Sequence, residues 1–245
     1  MSANFQPRKQ SAPVLRSLSV LLYGVPKVGK TTEAAKFSGA ILLNCEPSGT
    51  DLLKGEHDVF DVTSLNQLEN IATQLASTPY KTVVLDGFTW LINQAVAEEI
   101  GRQGKAKRLP IYGDITEQTK RILGIILHSG KIVVATGHSR IVDDEEIENK
   151  VEVRPDINPK LSDGVFGLFS IIAYCYPTQD GSKMITKPED SPKRRILAGD
   201  RSGVLPKTMP LSAEKLMEYM RQTQPAKPAQ NGDGDKSAEQ AGESA

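Results

Sequence analysis

The sequence predicts an α/β fold in which a mostly parallel β-sheet is flanked by helices and continued by a β-rich C-terminal extension. Three observations point there. Short apolar runs alternate with stretches of helical periodicity from Ser17 to Thr136, the pattern of successive βα units. A glycine-bounded loop, Gly24 to Thr31, joins the first apolar run to the first helical one. From Leu168 onward the pattern changes to short runs divided by turn residues, which read as hairpins.

The elements follow in order. A strand is predicted over Ser17 to Tyr23, a helix over Lys30 to Phe37 and a strand over Ala40 to Asn44. A short strand at Val59 to Val62 precedes an amphipathic helix over Leu65 to Leu75, where Leu65, Leu68, Ile71, Ala72 and Leu75 share one face. Thr82 to Asp86 reads as a buried strand, followed by a helix from Thr89 to about Ile100. Gly101 to Gly113 reads as a loop rich in glycine and lysine. A helix over Ile115 to Leu127 and a strand over Lys131 to Thr136 come next. Arg140 to Lys160 is polar and acidic. Strands are then expected at Ser170 to Tyr176, Met184 to Thr186 and Arg194 to Leu197, with a turn at Gln179 to Ser182. A last helix runs from Ser212, its N-cap, to Gln222.

Composition narrows the classes. The 245 residues carry 30 Lys and Arg against 30 Asp and Glu, so nucleic-acid binding cannot rest on global charge and needs local patches. No apolar run approaches the roughly 18 to 20 residues that span a bilayer, and the polar N-terminus lacks a signal-peptide core. The expectation is a cytoplasmic protein with no membrane partner. Cys45 and Cys175 stand alone and suit neither a disulfide framework nor a zinc site. Residues 1–16 read as a flexible arm, 17–222 as the folded domain and 223–245 as a disordered acidic tail, in which two lysines face four carboxylates.

Gly24-Val25-Pro26-Lys27-Val28-Gly29-Lys30-Thr31 fits G-x-x-x-x-G-K-[ST] at every fixed position, between a predicted strand and a helix. The two glycines let the backbone curl so that successive N–H groups face a phosphate. The helix N-terminus adds positive potential there, joined by the next residue, Thr32. Lys30 reaches toward the β- and γ-phosphates and the Thr31 hydroxyl is placed to ligate Mg²⁺. Asp86 ends a buried strand, at the sheet edge where ligands of open α/β sheets collect, and is the matching carboxylate for Mg²⁺. There is no Asn-Lys-x-Asp guanine-reading motif, so ATP is the expected nucleotide.

The phosphate loop with Lys27 before Val28, the Val83 to Asp86 strand, Thr136-Gly137-His138-Ser139-Arg140 and Asp200-Arg201-Ser202-Gly203 together resemble the phage-encoded RecA-like ATPases, the group that includes single-strand annealing proteins. The likeness covers roughly Ser17 to Gln222. It implies a RecA-like P-loop NTPase core using ATP and Mg²⁺, assembled as a homo-oligomeric ring or filament, with single-stranded DNA as partner and a single-strand-binding protein as a candidate partner. It further implies that Glu46 polarises the attacking water, although Glu46 also suits the start of a turn with Pro47 and Gly49. His138 would sense the γ-phosphate, or be a structural histidine, as His57 and His128 are read. Arg201 would be an arginine finger acting on a neighbouring subunit, or a surface hairpin charge. The family's Lys two residues before that Arg is replaced by Gly199, which implies slow hydrolysis or a cation supplied by Lys193, Arg194 or Arg195.

For DNA, the first candidate is the predicted loop with Arg102, Lys105, Lys107 and Arg108, four cations within seven residues, followed by Tyr112 as a stacking platform and extended by Lys120 and Arg121. An ordinary solvated charged face is the competing reading. The segment after His138, with Asp143, Asp144, Glu145, Glu146 and Glu148, has the wrong sign, leaving Lys150, Arg154 and Lys160 as possible contacts. The function expected is an ATPase that binds single-stranded DNA and supports phage recombination or annealing. A partner-loading ATPase, for example one that delivers a helicase, is the alternative. A small-molecule kinase is weaker because no Arg-rich lid follows the core.

Overall fold

The computed structural model describes residues 18–47, 49–143, 147–158 and 164–222. The expected arm at 1–16, the tail at 223–245, Asp144, Glu145, Glu146 and Lys160 lie outside the described residues. The sheet is built from β1 (Ser19–Gly24), β2 (Ala40–Asn44), β3 (Asp58–Asp61), β4 (Thr82–Asp86), β5 (Ile132–Asp143), β7 (Ile171–Thr178), β8 (Gly181–Ile185) and β12 (Thr208–Pro210), in the spatial order β12-β8-β7-β1-β5-β4-β2-β3. The six strands from β7 to β3 pair in parallel, and β8 and β12 close one edge antiparallel. Val20, Leu22, Leu42, Leu43 and Val83 to Leu85 are buried, as strands covered on both faces require.

Helices α2 (Leu65–Gln74), α3 (Phe88–Gln103) and α4 (Arg108–His128) cover one face. Their residues Leu68, Leu91, Ile92, Ile111 and Ile122 join Leu21, Leu43, Val83 and Leu85 in one core. The opposite face packs Val20, Leu22, Leu42 and Val84 against α1 (Lys30–Ala34) and α5 (Ala213–Gln222), through Ala34, Phe37, Leu216 and Met220. The two covering helices are also joined directly, because the Glu33 carboxylate accepts the Ala213 N–H at 3.1 Å. Helix α2 starts as a cap should, with Ser64 Oγ accepting the Gln67 N–H.

Three expectations are corrected. The stretch Gly101 to Gly113 is not a loop: α3 runs on to Gln103, Lys105–Lys107 form a 3₁₀ turn, and α4 begins at Arg108. The real break is Gly104, at φ 88°. Pro110 falls in the first turn of α4, where an N–H has no intrahelical acceptor to lose. Gly113 costs the helix about 1 kcal/mol, but burying Ile111 and Ile115 around it returns about 1.5 to 3 kcal/mol each. The polar segment after His138 is likewise ordered where described. Strand β5 continues to Asp143 and pairs antiparallel with β6 (Val151–Pro155), and β10 (Arg194–Ile196) adds to β6 in parallel and to β9 (Glu189–Asp190) antiparallel. A two-residue strand, β11 (Gly199–Asp200), pairs with β7. The first helix also ends early, at Ala34, ahead of a turn at Gly39 with φ 61°.

Tyr23 locks the small sheet to the large one. It is fully buried, and its hydroxyl lies 2.6 Å from the Leu197 carbonyl and 3.1 Å from that of Val153. Replacing it as Tyr23→Phe keeps the ring and strands both acceptors, which should cost about 1 to 2 kcal/mol. For a domain of this size the melting temperature should fall by roughly 2 to 8 °C, and an unchanged value would show that the two carbonyls are satisfied without the phenol.

Candidate nucleotide site

The phosphate loop leaves β1 under a tight steric constraint. Gly24 has φ 147°, and a Cβ there would stand 2.1 Å from the Cys175 carbonyl oxygen on β7. The next N–H, that of Val25, donates to the same carbonyl at 3.2 Å. Lys27 and Gly29 both take left-handed backbone, at φ 64° and 90°, so the chain curls back before Gly29 caps α1. For Lys27 that conformation costs about 1 to 2 kcal/mol, which the anchored ends of the loop hold in place.

Around this curl lies a cleft of about 440 Å³ lined by Pro26, Lys27, Gly29, Lys30, Thr31 and Thr32 on one side and by Glu46, Pro47, Gly49, Asp86, Thr136, Gly137 and His138 on the other. Val25 and Val28 do not line it, since their side chains pack into the core beneath α1. Lys30 is buried, and its Nζ donates to the carbonyls of Val25 at 2.8 Å and Gly24 at 3.2 Å. Burial holds its pKa below the usual lysine value, opposed by the neighbouring acids.

Asp86 is 2% exposed at the end of β4, and its Oδ1 accepts the Thr31 hydroxyl at 2.7 Å and the Thr136 hydroxyl at 2.6 Å. Burial raises its pKa, and the two hydroxyls pull it part of the way back. Thr136, the last residue of a predicted strand, carries no motif that assigns it a role. The available signal was a hydroxyl closing an otherwise apolar run beside the strand that ends in Asp86. Hard oxygen donors at Thr31 and Asp86 fit Mg²⁺, and Gly49 keeps space open beside them, where a Cβ would come within 3.0 Å of Asp86 Oδ2. Among the described residues no cluster of three or more His, Cys, Asp or Glu forms a protein-only metal site.

Glu46 opens a turn, with the Gly49 N–H on its carbonyl, and it also projects a carboxylate into the cleft. Its position is fixed by the Cys45 N–H donating to the Asp86 carbonyl at 2.8 Å and by the close approach of Gly87, where a Cβ would lie 2.4 Å from Glu46 Cβ. Across the cleft, His138 Nε2 donates to the Glu46 carboxylate, at 3.1 Å from Oε1 and 3.3 Å from Oε2. The His138 backbone N–H donates to Thr89 Oγ1, a second hydroxyl that no sequence motif marks.

Arg201 lies elsewhere. Its N–H donates to the Ser170 carbonyl and its guanidinium to the Gly167 carbonyl, level with Ser19 at the start of β1. Five residues at about 3.3 Å each separate that level from Gly24, roughly 16 Å, so Arg201 cannot reach the cleft of its own chain. The cations expected to bind DNA are exposed on the α3–α4 corner, but Arg102 is committed to Glu99 through two hydrogen bonds. Tyr112 is half-buried and packs against the main core. Lys120 and Arg121 pair with Glu117 and Glu69. Lys150 is also withdrawn as a contact, being buried with its ammonium on Asp190, and Arg154 lies mostly buried beside Glu152.

The fold and this cleft define a P-loop ATPase domain of the AAA type. The chain belongs to the AAA domain family, whose model matches residues 16–202. No curated protein matches the sequence. No helix among the described residues is long and apolar enough to cross a membrane.

The raised pKa of Asp86 makes a testable statement about stability. A carboxyl that binds its proton more tightly when folded costs stability once ionised, at pH values above its folded pKa. Asp86→Asn removes the charge and can still accept from Thr31 and Thr136. Without nucleotide its melting temperature should equal or exceed that of the parent chain, while the Mg²⁺-dependent rise on adding ATP should disappear. A drop of several degrees in the nucleotide-free variant would contradict the assignment of the burial cost.

Proposed function

We propose that this AAA-family domain is a RecA-like, ATP- and Mg²⁺-dependent ATPase that binds single-stranded DNA and promotes phage DNA recombination by annealing or strand pairing. The nucleotide half rests on one observation: Lys30, the Thr31–Asp86 pair and the Glu46–His138 pair converge on a single cleft at the carboxyl ends of the parallel strands. Mg²⁺, when bound, neutralises phosphate charge and aligns the phosphate oxygens. Lys30 exchanges its two carbonyl acceptors for phosphate oxygens. Glu46 takes a proton from the water whose oxygen bonds to the terminal phosphorus as the bond to the ADP oxygen breaks. His138 can hold either the Glu46 carboxylate or a phosphate oxygen, so its choice of acceptor reports the state of the cleft to β5.

In this reading Arg201 acts only on a neighbour, which calls for a homo-oligomer, a ring or filament. The DNA half rests on the exposed cations of the α3–α4 corner, Lys105, Lys107 and Arg108 above all, and on the resemblance. A single-strand-binding protein is a fitting partner on the same DNA. A second reading, a partner-loading ATPase, is favoured by one observation: the β5–β6 hairpin runs past the sheet and exposes Ile141 at 69% and Ile147 at 43%. Nothing comparable favours a kinase.

ATP turnover with and without single-stranded DNA, with Lys30→Ala as blank, separates these. DNA should raise the rate, and Lys30→Ala should lower it by about a hundredfold or more. A rate indifferent to DNA would favour the partner-loading reading. In mixed assemblies, Arg201→Ala subunits should depress turnover in their wild-type neighbours. Activity proportional to the wild-type fraction alone would return Arg201 to a surface charge.

A further inference from the structure

Beside the exposed cations of the α3–α4 corner stands a single half-buried ring, Tyr112. A pair of rings with surplus positive charge occurs on the other side of the phosphate loop. Tyr174 and Tyr176 alternate along β7 and so share one face of the sheet. Their rings lie 6.0 Å apart and within 10° of parallel. Both are half-buried, with inner edges on the cluster of Tyr23, Val153, Ile185 and Ile196 and the remainder open to solvent.

Cations frame the pair. Lys183 stands directly opposite Tyr176 in the β7–β8 ladder and forms no ion pair among the described residues. Arg194 precedes Ile196 by two residues on β10, hence on the face that packs toward the tyrosines, and its charge acts on the Tyr174 phenol. Glu189 is shared between Arg194 at 3.2 Å and Lys207 at 3.7 Å, one carboxylate for two cations. From residue 181 to residue 210 the chain holds seven Lys and Arg against three Asp and Glu, a local excess in a protein whose formal charge is zero.

We propose that this β7–β8–β10 face binds single-stranded DNA, with bases stacked on Tyr174 and Tyr176 and phosphates lying along Lys183 and Arg194. The proposal rests on the DNA-binding reading above and names its site. Charge complementarity and paired rings select a polyanion with exposed bases over a protein surface. The site is also wired to the nucleotide. Cys175 lies between the two tyrosines, and its carbonyl is the group that Gly24 abuts and that accepts the Val25 N–H. A ligand that fixes β7 therefore acts on the wall of the phosphate loop, and the coupling must run in both directions.

The test measures anisotropy of a labelled oligo-dT titrated with the full chain, with and without ATP and Mg²⁺. Tyr176→Leu keeps the apolar contact and loses the π-face, so affinity should weaken by about tenfold or more, while Tyr176→Phe should stay within about twofold of wild type. Lys183→Ala combined with Arg194→Ala should flatten the plot of log affinity against log salt by about 0.7 for each phosphate left without its cation. ATP should shift DNA affinity less in Tyr176→Leu than in the parent. Circular dichroism of each variant confirms the fold. Full binding by folded Tyr176→Leu, with binding abolished in a Lys105, Lys107 and Arg108 triple-alanine variant, overturns this proposal alone. A wild-type chain that binds no oligonucleotide overturns the DNA reading and this site with it.

Discussion

A buried carboxylate that accepts two hydroxyls is the interaction on which the cleft depends. Asp86 reaches Thr31 at the start of α1 and Thr136 near the middle of β5, so one side chain sets the first helix and a neighbouring strand against the end of β4. The arrangement is costly, because the charge sits at 2% exposure with no cation among the described residues in hydrogen-bond contact. It is tolerable because two charge-assisted hydrogen bonds offset part of the desolvation.

The same logic extends across the cleft. Lys30 and the acidic groups occupy opposite walls and do not pair. Lys30 is satisfied by backbone carbonyls and Glu46 by an imidazole. Each partner is one that can be surrendered at modest cost when a phosphate or a water arrives. Backbone supplies the precision: Gly24, Gly87 and Gly137 each sit where a Cβ would collide with Cys175, Glu46 or Thr89 at 2.4 Å or less.

Much of this was legible in the sequence where local pattern decides. The limits of β2 and β4 coincide with the expected strands, Ala40 to Asn44 and Thr82 to Asp86, because buried parallel strands read as unbroken apolar runs. The phosphate loop was legible because its glycines and lysine are adjacent in sequence. Glu46 and His138 were each singled out through resemblance, but their pairing was not foreseen, since their meeting depends on the strand order β1-β5-β4-β2. The α3–α4 corner was misread because Gly101, Pro110 and Gly113 signal a loop by composition, while Ile111 and Ile115 tie the segment to the core. Tyr174 and Tyr176 passed as ordinary strand residues, because the cations that frame them come from β8 and β10 and meet them only through pairing.

The carboxylate of Glu33 on the Ala213 N–H ties the third residue after Lys30 to the first residue of the last helix. The apolar underside of α1 is covered by Leu205, Met209, Leu211, Leu216 and Met220, all of which follow residue 202, where the family match ends. During synthesis, then, the nucleotide cradle emerges well ahead of the segment that seals it, and a chain cut at residue 202 would carry the whole motif on a helix with a bare back.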